Sequence, residues 1–209
     1  DLVRVWQPPE GALTTVPLRY RLADRWRRVY GRPRGISLPT TDIMVHQGRA
    51  EVEATFDLAD PLHYSDAESS LSLGIVPASS AGLTFPTTPP FTWRSDGAPQ
   101  SRFAAVSGDA PAPLRVTFTG PVVRPWVRVS DVLVQLSGSL AYDEVVTVDA
   151  RAMTITRADG ASVPGLLSSR TRMADLRLSP GSHEVTFGGS DLTGTATATV
   201  AWRDAFRSL

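Results

Sequence analysis

The sequence predicts an all-β protein made of two antiparallel β units joined by a long Pro/Ser-rich arm. Short runs that alternate polar and apolar residues recur between turn signals, as half-buried strands do. Helical periodicity is nearly absent, and apolar residues make up 42% of the 209 residues, which is enough for a packed core. The predicted parts are an N-terminal β-rich unit at 1–64, the arm at 65–113 and a C-terminal β-sandwich at 114–209.

One segment near the N-terminus has helix-like spacing. Within Leu22–Tyr30 the large apolar residues fall at i, i+4, i+7 and i+8, which fits one face of a helix. Gly31 would end such a helix. The alternative is an extended Arg-rich segment, and the residues leave both possibilities open.

The remaining elements read as strands between turns. Asp159-Gly160 predicts a hairpin, because this pair tolerates the positive φ values of a type I′ turn. Pro180-Gly181 predicts a second tight turn. The predicted strands are Glu51–Asp57, Leu114–Thr119, Trp126–Val129, Val132–Leu136, Val145–Val148, Met153–Thr156, His183–Phe187 and Gly194–Trp202.

Residues 65–113 differ in composition from the rest of the chain. Ser, Ala, Gly and Pro dominate, and Pro cannot donate a hydrogen bond to a sheet. The segment nevertheless carries four aromatic residues: Phe85, Phe91, Trp93 and Phe103. We therefore expect an arm that packs on its own chain or on a neighbouring subunit.

Composition excludes several classes of function. The chain has no Cys, so disulfides, thiolate metal sites and cysteine nucleophiles are absent. Its net charge of +0 argues against bulk electrostatic binding of nucleic acid, and no apolar run is long enough to predict membrane insertion. No cofactor is implied. All 21 basic residues are Arg.

The charges are unevenly distributed along the sequence. Residues 1–35 hold eight Arg and three acidic residues, a net charge of +5, whereas residues 41–75 hold seven acidic residues and one Arg, a net charge of −6. One interpretation is that these charges pair within the chain. The other is that they are complementary between copies and set the register of an assembly.

The sequence predicts no enzyme. His46, His63 and His183 lie in separate segments without metal-ligand spacing, and no nucleophile or phosphate-binding motif occurs. We therefore predict neither catalytic nor metal-binding residues.

Two carboxylate pairs are the best candidates for glycoside hydrolysis, Asp57 with Asp60 and Asp143 with Glu144. Asp143 and Glu144 are adjacent on the chain, so in a strand they point to opposite faces and cannot easily converge on one substrate. Asp57 and Asp60 lie at the end of a strand before Pro61, where Asp commonly forms a turn.

A sugar-binding sandwich would need an exposed Trp among polar side chains. Of the candidates Trp93, Trp126 and Trp202, the last two lie in apolar strands and are expected in the core.

Five motifs in order resemble the distal tail proteins of phages with long non-contractile tails. They are Asp60-Pro-Leu-His-Tyr64, Gly120-Pro-Val-Val-Arg-Pro125, the run from Leu136 to Asp149, Leu178–Phe187 with its Pro180-Gly181 turn, and Ala198–Phe206. Together they span about residues 50 to 207. The residues that carry the resemblance as scaffold positions are Asp60, Pro61, Tyr64, Gly120, Pro125, Asp149, Pro180, Gly181, Trp202 and Phe206.

The resemblance implies a structural virion protein located at the tail tip. The N-terminal unit would form a homo-hexameric ring, and the C-terminal sandwich would be galectin-like. The implied partners are the tail tube protein, the baseplate hub or tail-associated protein, and the tape measure protein, with no nucleic-acid contact required. The alternative function is a carbohydrate-binding β-sandwich that recognises a host surface.

Overall fold

The computed structural model confirms the all-β class. It describes residues 6, 15–37, 46, 52–75, 100–191 and 193–207. Two 3₁₀ turns, Pro164–Leu166 and Met173–Asp175, are its only helical elements of three or more residues in these ranges. The strands are β1 (Val16–Leu22), β2 (Arg25–Ser37), β3 (Glu53–Leu58), β4 (His63–Ser65), β5 (Ser69–Gly74), β6 (Gln100–Val106), β7 (Ala112–Thr119), β8 (Val122–Val129), β9 (Val132–Gln135), β10 (Ser139–Leu140), β11 (Val145–Asp149), β12 (Thr154–Arg157), β13 (Arg177–Leu178), β14 (Gly181–Ser190), β15 (Thr197–Trp202) and β16 (Ala205–Phe206).

The chain divides into two compact units. Unit 1 comprises Asp1–Ala67 and Ala205–Leu209, and unit 2 comprises Glu68–Asp204. The chain therefore leaves unit 1 once and returns to it at its C-terminal end. This return was not predicted, because residues 114–209 were all assigned to the sandwich.

Unit 1 is built on the β1–β2 hairpin, and the helix considered over Leu22–Tyr30 is wrong. Ala23 and Asp24 both have positive φ, at 46° and 63°, and Leu22 lies opposite Arg25. This is the two-residue type I′ geometry whose twist matches paired strands. The tight turn holds Arg25 onward in an extended conformation, so the Arg-rich extended alternative is confirmed.

The other side of β2 is lined by two shorter strands. β3 pairs with the C-terminal half of β2, from Gly31 to Ser37, and β4 pairs with Arg27 and Arg28. β16 then pairs with β4 and completes a five-stranded sheet in the described part of the unit. The core of this sheet includes the side chains of Tyr30 and Tyr64, whose ring centroids lie 5.4 Å apart.

Gly31 is the point where β2 and β3 approach most closely, so Gly31→Ala is expected to destabilise unit 1. A Cβ there would overlap the carbonyl oxygen of Asp57 and lie 2.7 Å from Cε1 of Phe56. Backbone must shift to admit it, at a cost of about 2 kcal/mol. Gly35→Ala in the same strand is the control, because nothing lies within 4 Å of its Cβ position. Urea unfolding of both variants checks this; equal losses would contradict it.

Unit 2 contains two antiparallel sheets. In the first, the strand order is β10-β8-β14-β6, with β9 also paired to β8; in the second it is β12-β11-β7-β15-β5, with β13 also paired to β7. Alternate residues along β7 are buried, as they are in a strand with one face on a core. The rings of Phe118 on β7 and Phe187 on β14 lie 6.3 Å apart and join the two sheets as a sandwich.

The two predicted turns are present with local differences. In the turn after β12, Gly160 has a φ of 86° but Asp159 is not in the left-handed region, so the turn is not type I′. The Asp159 carboxylate instead accepts a hydrogen bond from the amide of Ala161 at 2.8 Å. Gly181, with a φ of 135°, follows Pro180 at the start of β14 as expected.

The closing strand is shorter than the predicted Gly194–Trp202. Before β15, the Asp191 carboxylate accepts hydrogen bonds from the amides of Thr193 and Ala196, at 2.7 and 2.9 Å. Burial opposes ionisation here, but these hydrogen bonds prevail and the pKa of Asp191 is lowered. The carboxylate thus holds a local loop, and pairing begins only at Thr197.

Both ends of the predicted arm at 65–113 form strands instead. β5 pairs with β15 at one edge of the sandwich, and β6 pairs with β14 at an edge of the other sheet. Pro113 also lies within β7, opposite Arg177. Ser- and Ala-rich segments can form edge strands, because the neighbouring strand supplies most of the apolar side chains of the core. Residues 76–99 lie outside the described residues, and so do three of the four aromatics of the arm.

Candidate functional site

A carboxylate clamp holds the two strands of the unit 1 hairpin. Arg19 on β1 and Arg28 on β2 are cross-strand partners, which places two positive charges side by side. Asp66, just after β4, accepts hydrogen bonds from Nε of Arg19 at 2.9 Å and from Nη2 of Arg28 at 2.6 Å. We call these three residues the Asp66 clamp. It converts a repulsive pair into a bridged one.

The electrostatics of the clamp follow from this geometry. Hydrogen bonds from Arg19 lower the pKa of the Asp66 carboxyl, burial opposes them, and Arg28 adds to the lowering. Burial also disfavours the charged form of Arg28, but hydrogen bonds to Asp66 and Tyr30 outweigh it and raise the pKa of that guanidinium. The Asp66 carboxylate and the Arg28 guanidinium are therefore both charged at neutral pH.

The end of the hairpin, which we call the hairpin tip (Arg21–Trp26), is exposed along its whole length. Trp26 is 52% exposed and Leu22 is 47% exposed, and their register places them on opposite faces of the hairpin. The guanidinium of Arg19 lies 5.3 Å from the Trp26 ring. The tip thus exposes one large apolar side chain on each of its two faces.

Contacts beside the hairpin tip, on the face opposite Trp26, hold β4 and β16 against the hairpin. The Tyr20 hydroxyl and Nδ1 of His63 are 2.6 Å apart, and burial raises the pKa of Tyr20 although Arg27 opposes this. The guanidinium of Arg27 stacks 3.6 Å from the centre of the Phe206 ring. β16 is thereby fixed to the Arg-rich strand.

Three arginines of the basic segment pair with two carboxylates of the acidic segment within the chain. Besides the Asp66 clamp, Arg34 pairs with Asp57 across β2 and β3. Glu68 is engaged inside unit 2, by Arg115 and, at 3.8 Å, by Arg203. These ion pairs favour the intrachain interpretation of the charge segments.

The first motif forms the turn between β3 and β4. The Asp60 carboxylate accepts hydrogen bonds from the amide of Leu62 at 2.8 Å and from the hydroxyl of Tyr64 at 3.1 Å. Pro61 is exposed in this turn, and Tyr64 is buried against Tyr30. The carboxylates of Asp60 and Asp57 are both held by partners within unit 1.

The second and third motifs shape loops of the sandwich. A Cβ on Gly120 would overlap the carbonyl oxygen of Ala141, so only glycine fits there. Pro125 is buried in β8, and its carbonyl accepts the amide of Leu136 at 2.9 Å. Asp149 caps the turn after β11 by accepting the amides of Arg151 and Ala152.

The last motif is divided between the two units, which corrects one expectation. Trp202 is 5% exposed in β15 and belongs to the sandwich core as predicted. Phe206 falls within the range 114–209 that was predicted as the sandwich, but it lies in unit 1 on β16, opposite His63. The chain leaves β15 after Trp202, so the two aromatics anchor different sheets.

Other candidate residues are separated by the fold. Glu144 caps its own loop by accepting a hydrogen bond from the amide of Ala141 and pairs with Arg157, whereas Asp143 is exposed and has a left-handed backbone conformation. His183 contacts Ser130 and Ser179. His46 is exposed and Trp93 is outside the described residues. Within the described ranges, no cluster of three potential metal ligands occurs and no helix could span a membrane.

Comparison with solved structures agrees with the motif resemblance at the level of the fold. The chain matches the crystal structure of SPP1 Dit (gp 19.1), described as a paradigm of the hub adsorption apparatus of phages that infect Gram-positive bacteria. The TM-score is 0.54 at 13% sequence identity, over 94% of this chain and 67% of that protein. The fold resembles that of a phage distal tail protein. No protein-family model matches the chain, and no curated protein is significantly similar to it in sequence.

The sequence reasoning missed two features of this site. Asp66 lies beside the predicted boundary of the arm and was not considered as a structural residue. The hairpin tip was obscured by the helix-like spacing of Leu22 and Trp26. The signal available for both was the density of Arg in residues 19–34, which requires a nearby carboxylate if the strands are to pair.

Proposed function

We propose that the chain is a structural component of a phage tail, which forms a homo-hexameric ring at the tail tip and joins the tail tube to the baseplate hub. The observation that carries the proposal is the similarity of fold to SPP1 Dit over 94% of the chain. The five motifs in order along the sequence support it independently. Tail tube, baseplate hub and tape measure proteins are the expected partners, and the virion tail tip is the expected location.

Unit 1 is the part we assign to the ring. A cyclic ring needs a head-to-tail contact in which one surface of a subunit meets a different surface of the next. The hairpin tip supplies one such surface, because Trp26 and Leu22 are exposed, whereas Tyr30 and Tyr64 of the same unit are buried and Tyr20, Phe56 and Phe206 are half-buried. Leu58 on β3 is 48% exposed and provides an apolar surface on a different strand.

The clamp supports this role by fixing the tip. With Arg19 and Arg28 bridged by Asp66, the hairpin is held before assembly, so less conformational entropy is lost when subunits join. Because these arginines are paired within the chain, we expect apolar contacts rather than ion pairs between copies to dominate the assembly. The assembly should therefore depend weakly on salt.

Trp26→Asp is expected to weaken the ring at least tenfold, because a charge replaces the largest exposed apolar side chain of the tip. Native mass spectrometry of the purified protein should show six copies for the natural sequence and mostly single subunits for the variant. Tyr142→Asp is the control: Tyr142 is 72% exposed but lies in unit 2. A ring that survives Trp26→Asp, or that Tyr142→Asp disrupts equally, would overturn the assignment to the tip.

A further inference from the structure

The outward face of the β6–β8–β9–β14 sheet carries aromatic side chains with polar ones between them. On β8 and β14 the core-facing residues Val127, Val129, Val185 and Phe187 are fully buried. Since side chains alternate along a strand, the residues between them point outward. This face is independent of the hairpin tip and belongs to the other unit.

Trp126 forms a flat platform at one end of this face. It lies opposite Gly188 in the sheet register, and a Cβ on Gly188 would come within 2.6 and 2.9 Å of the indole atoms Cε2 and Nε1. The indole therefore crosses the sheet surface directly over a glycine, beside a register shift between Gly188 and Ser190. Its expected place in the core is wrong: the ring is half-buried on the outer face.

Hydrogen-bonding side chains surround the platform in register. Gln135 on β9 lies opposite Trp126, and Arg128, whose guanidinium is 5.9 Å from the indole centre, lies opposite Thr186. Two residues further along β14, Glu184 is exposed opposite Phe103. From Gly188 to Glu184 the strand advances about 13 Å, at about 3.3 Å per residue.

We propose that this face binds an uncharged oligosaccharide of two or three pyranose rings, stacked on Trp126 and extending along β14 toward Phe103. A pyranose presents a flat C–H face, which packs on an indole, and hydroxyls, which need both donors and acceptors. Arg128 supplies donors, Glu184 acceptors, and Gln135 both. Along the path from Trp126 to Phe103 the positive charge of Arg128 and the negative charge of Glu184 balance each other, which suits an uncharged ligand; Arg124, which is also exposed on β8, lies before Trp126 and off this path.

The bound oligosaccharide should be longer than one sugar, because the polar residues of this face extend beyond the reach of a single sugar ring. A single ring on Trp126 reaches Arg128 and Gln135 but not Glu184. A trisaccharide also reaches Phe103, which is 71% exposed at the far end. Affinity should therefore rise from mono- to trisaccharide.

The test is binding to an immobilised panel of glucose-, galactose- and N-acetylglucosamine-based mono-, di- and trisaccharides. We expect at least one series to bind, with Trp126→Ala lowering affinity about tenfold or more, which corresponds to about 1.4 kcal/mol. Phe103→Ala should lower the affinity for the trisaccharide and leave the affinity for the disaccharide unchanged.

Control variants distinguish binding at this site from nonspecific binding and from misfolding. Tyr142→Ala removes an aromatic side chain elsewhere in unit 2 that is as exposed as Phe103, and it should leave binding unchanged. Trp126→Phe keeps a ring over Gly188 and should retain part of the binding. A panel with no bound saccharide, or binding indifferent to Trp126→Ala in a folded protein, would overturn the inference. Neither result would bear on ring formation, which is tested separately through Trp26 in unit 1.

Discussion

Phe118→Ala is expected to destabilise the sandwich of unit 2 by about 4 kcal/mol. Phe118 is fully buried on β7, in register with Val146 on β11 and Ala198 on β15, and its ring contacts the facing sheet through Phe187. These neighbours are held by strand pairing on both sides and cannot collapse into the space left by the ring. The loss therefore includes both buried apolar area and a cavity.

Urea unfolding measures this loss in the free energy of unfolding. Hydrogen exchange of the backbone amides of β7, β11 and β14 shows where in unit 2 it occurs. Phe103→Ala is the matched control, because the same residue type is 71% exposed on β6 of the same unit. The control should change stability by less than about 0.5 kcal/mol. If Phe118→Ala cost no more than Phe103→Ala, the two sheets would not share the core described above.

Asp66→Asn is expected to destabilise unit 1 by about 3 kcal/mol at neutral pH. The substitution leaves Arg28, which is only 18% exposed at its side chain, beside Arg19 without an anion between them. The hairpin should then open locally, and backbone amides of β1 and β2 should exchange faster. Hydrogen-exchange mass spectrometry at pH 7 measures both the size and the place of the effect.

The same pair of proteins tests the ionisation of the clamp. Because Arg19 and Arg28 hold the pKa of Asp66 below its ordinary value of 3.8, the clamp stabilises unit 1 fully above that pH. The stabilisation is lost as the pH falls through the lowered pKa, where the natural carboxyl becomes neutral. The stability difference between the natural protein and Asp66→Asn should therefore shrink below about pH 4.

Asp24→Asn provides the control for the clamp. Asp24 also pairs with an arginine of the hairpin, Arg21, but both side chains are mostly exposed. Exposed pairs contribute little, so a change below about 0.5 kcal/mol is expected. A clamp variant that behaves like this control, or a difference from the natural protein that persists unchanged in acid, would refute the role of Asp66.

Much of the sandwich could be predicted because its strands obey local rules. The alternation in Leu114–Thr119 and the Pro180-Gly181 turn were sufficient to place β7 and β14. The β1–β2 hairpin could not be placed in the same way. Its turn is formed by Ala23 and Asp24, and Ala seldom adopts a positive φ, so no turn signal marked it.

The candidate sites depended on contacts that sequence spacing does not contain. Asp66 is separated from Arg19 by 47 residues and from Arg28 by 38, and only the pairing of β4 with β2 brings them together. Trp126 was expected inside because its strand is apolar. Its outward position is decided by the parity of β8, which Val127 and Val129 fix by facing the core.

The position of Phe206 likewise depends on a contact that the sequence spacing does not contain. Nothing in Ala198–Phe206 indicates that the segment changes sheets after Trp202. β16 pairs with β4, whose own place depends on the turn at Asp60. The fold thus joins the first and last parts of the chain in one unit, a long-range pairing that the local pattern of neither part contains.

We propose that unit 1 assembles copies of this chain into a closed ring, and negative-stain electron microscopy of the purified natural protein would show such a ring. Ring-shaped particles of six subunits around a central opening are expected, and they should be lost in Trp26→Asp. Fields of single subunits at every protein concentration would contradict the proposal.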